Sequence, residues 1–380
     1  MVLRNLSLFF VGVLALAIAM TAASAIGGEI PAAAKERGFF LLPEFHECNP
    51  DEATLMEDFL KIVQSPGVPI SVAVPRPLKI AIMFPSLETS DAWARLNIAL
   101  RKRLEELKVP IKVTEFMIRP DEHGRQATQI EQVLAMGLDY VVIGPSEYKA
   151  QKANMERLAK KVPTLVMNVV NPFVDLVGTD RMPLSHIGFD HSVGAKVLCK
   201  WVIKETGGEG TFALMRYLPG LVDDQRSNVF RDCVLKNSNM KLVDEYEAYG
   251  DREKAFTGAN AVLSKHPDIT MLHCGSTAVA LGTLAAVEER GLVDKVIVNG
   301  WGGGGDELKS IMNGGLKVAA FRVNDDWGTA VAEAIKAHVE GKRIPLVIAA
   351  TIKAVDYRMT PEQIKAETDY AFRYSGVLER

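Results

Sequence analysis

The residues best suited to chemistry lie where two apolar segments end, between Val296 and Asp326. Trp301 directly follows the strand-like run VIVNG, and Arg322 stands near the end of the run LKVAAFRV. In open α/β sheets the ligand crevice lies outside the carboxyl ends of the strands. An indole supplies a flat face, and a guanidinium supplies up to five donors that stay protonated. This pair is therefore predicted to bind a small polar ring.

Other polar and aromatic residues also follow predicted strands. Arg226 opens a helix, whose N-terminus favours anions, although a solvated surface arginine is the alternative. Two indoles, two guanidiniums and several hydroxyl or amide groups would line one crevice, which suits a small polyhydroxylated ring. The predicted ligand-binding residues are Glu88, Ser90, Trp93, Asn168, Arg226, Ser276, Thr277, Trp301 and Arg322.

Helix capping is the alternative role for several of these side chains. Serine, threonine, aspartate and asparagine are favoured at helix N-caps, because their oxygens accept from free backbone N–H groups. Capping thus competes with ligand binding at Ser90 or Asp91 and at Ser276 and Thr277. Two residues at the start of the last long helix are assigned to capping alone, Asn324 and Asp325.

Sequence patterns for catalysis are absent. The chain has no GxSxG, no GxxxxGK[ST], no HExxH and no CxxC, and its seven histidines show no ligand spacing. A sugar-cleaving enzyme needs two carboxylates across its substrate, and only Glu88 is a candidate. We predict no enzyme, no metal and no cofactor. The glycines from Gly302 to Gly305 are interpreted as a tight turn rather than a dinucleotide loop.

Composition indicates a globular protein, and the N-terminal segment indicates that it is exported. The 380 residues are 48% hydrophobic and 24% charged with net charge -3, which does not favour nucleic acid. Arg4, the apolar run 6–20 and the small residues 23–25 predict a cleaved signal peptide over 1–25 and a periplasmic mature chain. A membrane anchor is the alternative. Four cysteines in an exported chain permit disulfides, and the sequence leaves their pairing open. Three of them lie in apolar stretches, where a small buried side chain is the commoner role: Cys199, Cys233 and Cys274.

From residue 78 onward, strand patterns alternate with helix patterns. This alternation predicts an α/β fold with doubly wound parallel sheets, and about ten strands indicate two lobes. An N-terminal arm over 26–77 precedes them, because clustered prolines interrupt regular structure there. The last strand is predicted over the run LVIAATIKAV, 346–355.

Several motifs resemble one branch of the periplasmic sugar-binding family of ribose-binding type, the LuxP-type autoinducer-2-binding proteins. The resemblance runs from about residue 76 to residue 375. Its most specific feature is NGWGGG followed by RVNDD. The motifs that carry it are SDAW (90–93), IGFD (187–190), STAVALG (276–282), NGWGGG (299–304), RVNDD (322–326) and AFRYS (371–375).

This resemblance implies a type I periplasmic binding protein with two lobes and a three-strand hinge. It implies an N-terminal lobe of residues 78–186 plus 301–344 and a C-terminal lobe of 187–300 plus 345–380. The implied ligand is the furanosyl borate diester of autoinducer-2, presented to a membrane sensor kinase of LuxQ type in quorum sensing, a form of two-component signalling. The alternative is the sugar-binding component of an ABC importer, with a permease as its partner.

The same resemblance implies a role for each predicted site residue. Ser90 and Trp93 would contact the ring, and Trp301 would line the pocket. Hydrogen bonds to the ring hydroxyls would come from Asn168, Ser276 and Thr277. Arg226 and Arg322 would flank the borate, since charge-assisted bonds from arginine are strong.

Two residues depart from the resembled pattern. Glu88 stands where the pattern has glutamine, and Ala278 stands where it has aspartate. A carboxylate would repel an anionic ligand unless it is protonated or paired with an arginine. Glu88 therefore leaves three ligands open: the borate form, a borate-free form, or another sugar.

Overall fold

The computed structural model describes residues 27–85, 90–119 and 121–376. Twelve strands are present in this part of the chain. Most are apolar and buried, as expected for parallel sheets that are covered on both faces. The strands are β1 Leu78–Pro85, β2 Ile111–Ile118, β3 Tyr140–Ile143, β4 Thr164–Asn168, β5 Ser185–Phe189, β6 Thr211–Arg216, β7 Lys241–Glu247, β8 Met271–Cys274, β9 Ile297–Gly302, β10 Val318–Arg322, β11 Val347–Ala350 and β12 Ile352–Asp356.

Helices connect these strands and cover the sheets. None of the described helices is long and apolar enough to cross a membrane. They are α1 Ala32–Arg37, α2 Leu42–Cys48, α3 Pro50–Gln64, α4 Ala92–Glu106, α5 His123–Leu134, α6 Lys152–Ala159, α7 His191–Thr206, α8 Leu221–Asp223, α9 Val229–Asn237, α10 Arg252–Lys265, α11 Thr277–Glu289, α12 Gly305–Met312, α13 Asn324–Val339 and α14 Pro361–Ala371. A π-helical turn, Asp224–Asn228, joins α8 to α9.

The strands form two sheets of six strands each. The first has the order β11-β5-β4-β3-β1-β2 and is parallel throughout. The second has the order β12-β10-β9-β8-β6-β7, and only β12 is antiparallel to its neighbour. The prediction of two doubly wound parallel-sheet lobes is therefore confirmed.

The pairing of strands corrects the predicted bounds of the lobes. Residues 301–322 include the end of β9 and all of β10, which belong to the second sheet rather than to the N-terminal lobe. Residues 187–189 and β11 belong to the first sheet. The chain thus passes between the sheets after Phe189, after Arg322 and at Thr351. The predicted strand over 346–355 is two strands, because its halves pair with different sheets.

The last long helix, α13, returns to the first lobe and packs against α4. The predicted apolar face of α4 is buried there, including Leu96, Leu100 and Leu104. Trp327 of α13 donates from Nε1 to the carbonyl of Ile187 in β5 at 2.8 Å. The apolar surface that α4 buries against α13 stabilises the lobe by roughly 25 cal/mol per Å². The first sheet and α13 therefore form one packed unit.

The described part of the arm, residues 27–77, packs on the first lobe. Phe39 forms an isolated antiparallel bridge with Phe173. Glu52 of α3 is buried and accepts hydrogen bonds from Arg343 and from the Leu346 backbone N–H at 2.6 and 2.7 Å. Because Leu346 directly precedes β11, the arm secures an edge of the first sheet. The predicted signal peptide, 1–25, lies outside the described residues.

A disulfide bond between Cys199 of α7 and Cys233 of α9 fastens two helices of the second lobe. The sequence left this pairing open, because it depends on which helices lie side by side. The expected burial is found for Cys199 and Cys274, whereas Cys233 is half-buried. Cys274 and Cys48 are free.

Candidate ligand-binding site

A cavity lies between the lobes, at the carboxyl ends of both sets of parallel strands. Eight of the nine predicted ligand-binding residues line it: Ser90, Trp93, Asn168, Arg226, Ser276, Thr277, Trp301 and Arg322. The ninth, Glu88, lies outside the described residues. The strand ends bring these side chains together from positions as far apart as 90 and 322. Their role in ligand binding stays a prediction.

The cavity has further lining residues that the sequence analysis missed. Ser146, Glu147 and Tyr148 follow β3, and Tyr217 follows β6. Each lies just beyond a strand end, so the rule that identified the other residues applied to them equally. They lacked a motif that singled them out.

Two tryptophans form apolar parts of the wall in different ways. Trp301 is 1% exposed, and its indole Nε1 is buried without a hydrogen-bond partner among the described residues. Trp93 stacks on Phe84 with ring centroids 6.2 Å apart and also packs on Trp327 at 4.7 Å. Trp93 is therefore fixed by the core of the first lobe, whereas the indole donor of Trp301 has no partner in the described part of the chain.

Arg226 lies in the π-helical turn, an irregularity that is frequent at functional sites. Its guanidinium lies 5.0 Å from the Trp301 ring and 5.5 Å from the Tyr217 ring. Nη1 donates to the carbonyl of Gly275 at 2.8 Å. Burial, together with the nearby positive charge of Arg322, lowers the pKa of Arg226 to about 9. The alternative interpretation as a solvated surface arginine is wrong.

Arg322 stands at the end of β10 and faces the same cavity. Its guanidinium lies 5.3 Å from the ring of Phe189, and Nη2 donates to Ser90 Oγ at 3.4 Å. Nε of Arg322 and Nε of Arg226 are buried without partners in the described part of the chain. Buried donors are normally satisfied. The two guanidiniums therefore offer charged donors to a ligand with several oxygen acceptors.

The glycine run after β9 forms a tight turn, as predicted. Gly302 and Gly303 have φ of 121° and 68°, conformations that favour glycine. A Cβ on Gly302 would lie 2.6 Å from Arg322 Nη2. The backbone N–H groups of Gly303 and Gly304 donate to the carboxylate of Glu307 at 2.7 and 3.1 Å. A dinucleotide loop would instead direct such groups at phosphates.

Asn168 ends β4 with a positive φ of 72°. Such backbone conformations in residues other than glycine cluster at functional sites. Its carbonyl oxygen is 2.9 Å from His191 Nε2. Burial keeps the pKa of His191 well below its ordinary value, so this imidazole is neutral and donates to the carbonyl. His191 thereby helps to hold Asn168 at the cavity.

The capping alternatives have mixed outcomes. Ser276 is the N-cap of α11, and its Oγ accepts from the Val279 backbone N–H at 3.4 Å. Ser90 Oγ accepts from the Ala92 backbone N–H at 3.3 Å. Both residues nevertheless line the cavity. Thr277 instead donates from Oγ1 to the carbonyl of Trp301 at 2.8 Å.

The assignment of Asn324 and Asp325 to capping was wrong. The N-cap position of α13 is occupied by Val323. The Asp325 carboxylate instead accepts from the backbone N–H groups of Tyr374 and Ser375 at 2.5 and 2.8 Å. This residue thus anchors the segment after α14, which comes from the second lobe, to the first lobe.

The lobes touch each other around the cavity. Gln225 Nε2 donates to Asn171 Oδ1 at 3.1 Å, and the Gly305 backbone N–H donates to Asp91 at 3.1 Å. A Cβ on Gly220 would lie 2.8 Å from Glu147 Oε1, across the mouth. These bonds join opposite lobes, so the structure is a closed form.

The cavity lining combines hydrogen-bond donors with flat rings. Within the described residues, no group of three or more histidine, cysteine, aspartate or glutamate side chains is placed to hold a metal ion. The described lining includes one carboxylate, Glu147.

Comparison with known proteins agrees with this fold and site. The family described as periplasmic binding protein domain matches residues 80–343, which is more than half of the chain. The chain belongs to this family. Family membership confirms a substrate-binding protein rather than an enzyme and implies a periplasmic location.

Curated relatives place the chain near sugar-binding members. It is 23% identical over 235 residues to the ribose import binding protein RbsB of Bacillus subtilis, covering 61% of this chain and 73% of that protein. It is 32% identical over 168 residues to the D-allose-binding periplasmic protein of Escherichia coli, covering 43% of this chain and 54% of that protein. The second match therefore spans about half the length of that relative.

Solved structures with low sequence identity show the same fold. A solute-binding protein of Actinobacillus succinogenes with bound D-allose superposes with a TM-score of 0.67 at 19% identity, covering 77% of this chain and 100% of that chain. A galactofuranose-binding protein gives a TM-score of 0.68 at 15% identity, covering 78% and 100%. The fructose-binding periplasmic domain of the hybrid two-component system BT1754 gives 0.68 at 18% identity, covering 78% and 95%.

Proposed function

We propose that the protein is a periplasmic receptor that closes around one small sugar of ribose or allose type and delivers it to the permease of an ABC importer. The observation that carries the ligand class is the pairing of flat rings with charged donors in one cavity, above all Trp301 beside Arg226. Aromatic faces bind the apolar side of a sugar ring, and guanidiniums bind its oxygens. The similarity to ribose and allose import proteins supports delivery to an importer.

The mechanism is binding coupled to closure. A ligand that contacts both lobes has higher affinity for the closed form, so it shifts the equilibrium towards that form. Ser90 and Trp93 would hold it from the first lobe, and Arg226 and Thr277 from the second. The membrane partner would then recognise the closed shape.

A second candidate is the furanosyl borate diester of autoinducer-2, recognised in turn by a membrane sensor kinase of LuxQ type. One observation favours it: in the described part of the chain, neither cavity guanidinium forms an ion pair with a carboxylate. Arg226 and Arg322 therefore leave positive charge in a buried site, which suits an anionic tetrahedral centre better than a neutral sugar.

Calorimetric titration of residues 26–380 separates the two candidates. The panel is ribose, allose, and autoinducer-2 with and without borate. Tight binding of ribose or allose supports the importer component. Borate-dependent binding of autoinducer-2 alone contradicts the importer component and supports the signalling receptor. If no member of the panel binds, both candidates are contradicted.

The variant Glu88→Gln adds a check on ligand charge. Removing a carboxylate should keep or raise affinity for an anionic ligand, because charge repulsion is lost. A large loss of affinity would show that Glu88 is a favourable contact and that the ligand is not the borate diester.

A further inference from the structure

The segment from Trp301 to Gly304, at the end of β9, is organised around a buried carboxylate that is outside the cavity lining. Glu307, in the first turn of α12, is fully buried. Its Oε1 accepts from the Trp301 backbone N–H at 2.5 Å, and its Oε2 accepts from Gly303 and Gly304 at 2.7 and 3.1 Å. Three backbone donors between Trp301 and Gly304 thus depend on one side chain.

The same carboxylate also reaches the neighbouring helix. Thr277 Oγ1, at the start of α11, lies 3.3 Å from Glu307 Oε2 while it donates to the carbonyl of Trp301. A Cβ on Gly300 would lie 2.6 Å from Glu307 Oε1, so glycine at this position of β9 leaves room for the carboxylate. Trp301 and Thr277, both in the cavity lining, are therefore fixed relative to each other.

Glu307 acts as a counter-charge for the cavity as well. Burial lowers the pKa of Arg322, and the negative charge of Glu307 is the main influence that opposes this shift. It acts on Arg226 in the same sense, but more weakly. A buried carboxylate behind the wall thus stabilises both guanidiniums in their charged state.

We propose that Glu307 is a positioning residue of the binding site. It holds the segment from Trp301 to Gly304 and Thr277 in the arrangement that lines the cavity, so it sets ligand affinity without contacting the ligand. The affinity consequence rests on the proposed function, whereas the geometric consequence can be measured without a ligand.

The geometric test uses Glu307→Gln in protein labelled with ¹⁵N at tryptophan. The short bond to a carboxylate should shift the Trp301 amide proton downfield and protect it from exchange. The substitution weakens this bond and turns an NH₂ group towards a backbone donor, so the Trp301 amide should move upfield and exchange faster. Trp301→Phe assigns the peak, and the amide of Trp201 should stay unchanged. An unaltered Trp301 amide would overturn the proposal.

The affinity test compares Glu307→Gln with Glu333→Gln, a buried carboxylate of α13 that pairs with Arg103 away from the cavity. Burial raises the pKa of both carboxyls, so the two substitutions are matched. We expect the dissociation constant to rise about tenfold or more for Glu307→Gln and to stay within about twofold for Glu333→Gln. Equal affinities in the two variants would overturn the proposal. If the wild type binds no member of the panel, the proposed function fails, and the amide measurement alone decides the role of Glu307.

Discussion

At the scale of single residues, the cavity arginines differ from the other buried arginine of the second lobe. Arg216 pairs with Asp223 at 2.8 Å and with Glu245 at 2.7 Å. Arg226 donates to a backbone carbonyl and lies over two aromatic rings, and burial lowers its pKa. A buried charge without a partner ion reduces stability. We therefore expect Arg226 to serve ligand binding rather than folding.

This contrast predicts opposite effects for two matched substitutions. Arg226→Met should leave the melting temperature unchanged or higher, because it removes a buried charge, while ligand affinity falls at least tenfold. Arg216→Met should lower the unfolding free energy by about 3–5 kcal/mol, since it leaves the buried Asp223 unpaired. Calorimetric melting measures the stability of the two variants, and calorimetric titration measures their ligand affinity. A large loss of stability in Arg226→Met would contradict this account.

At the scale of elements, two connections hold neighbouring segments in place. The disulfide fastens α7 to α9, directly after the π-helical turn that carries Arg226. In the first lobe, Glu340 at the end of α13 accepts from the backbone N–H and the hydroxyl of Ser71 in the arm at 2.8 and 2.9 Å. The disulfide restricts the unfolded chain, because it is covalent. The hydrogen bonds of Glu340 join two elements, the arm and α13.

The disulfide leads to a prediction about thiols and stability. Of the four cysteines, two should react with a thiol reagent in denatured, unreduced protein, namely Cys48 and Cys274. Closing a loop with a sequence separation of 34 residues stabilises by about 4 kcal/mol in the chain-entropy view. The double variant Cys199→Ala/Cys233→Ala should therefore unfold at clearly lower denaturant than Cys274→Ala. Four reactive thiols would contradict the pairing.

The contact of Glu340 with the arm should make stability depend on acidity. Burial opposes ionisation, but hydrogen bonds from Lys342 and Ser71 outweigh it and lower the pKa of Glu340 to about 2. A carboxyl whose pKa is lowered on folding stabilises the protein above its unfolded pKa of about 4.5. That contribution is lost as the pH falls from about 4.5 to 2.

The measurement is the melting temperature of the wild type and of Glu340→Gln between pH 7 and pH 2. We expect the wild type to be more stable at pH 7 and the difference to shrink below about pH 4.5. Glu57→Gln, at an exposed position of α3, is the control. A difference that stays constant across this range would show that the charge of Glu340 has no role.

At the scale of the whole molecule, closure brings the lobes together through polar bonds around the cavity. Asn171 is central among them, because its Oδ1 accepts from Gln225 of the second lobe and its Nδ2 donates to the carbonyl of Phe40 in the arm at 2.9 Å. Its carbonyl also accepts from Tyr148 Oη at 2.6 Å. One residue thus joins the arm and both lobes in the closed form.

Removal of this bond should weaken ligand binding through the closing equilibrium. Gln225→Ala deletes a buried hydrogen bond worth about 1 kcal/mol that joins the lobes only when they are closed. We expect the dissociation constant to rise about fivefold, with an unchanged radius of gyration for the saturated protein by small-angle scattering. Gln132→Ala, on an exposed position of α5, should change neither quantity. An unaltered affinity in Gln225→Ala would show that this bond has no part in closure.

The sequence by itself determined the fold class and eight residues of the cavity lining. Alternating strand and helix patterns require parallel sheets, and the carboxyl ends of parallel strands meet at one edge. Residues at or just beyond the ends of strands, such as Asn168, Ser276 and Trp301, could therefore be grouped without coordinates. The role of the glycine turn followed from its place after a buried strand.

The tertiary structure alone decided which strands belong to which lobe and what supports the site. Residues 301–322 and 347–350 pair with strands that are far away in sequence, and local patterns carry no information about such partners. The disulfide, the second ring beside Arg226 and the buried Glu307 depend on the same long-range packing. A carboxylate in a helical turn looks like an ordinary exposed residue in the sequence, and only the folded chain shows that it lies behind the wall of the cavity.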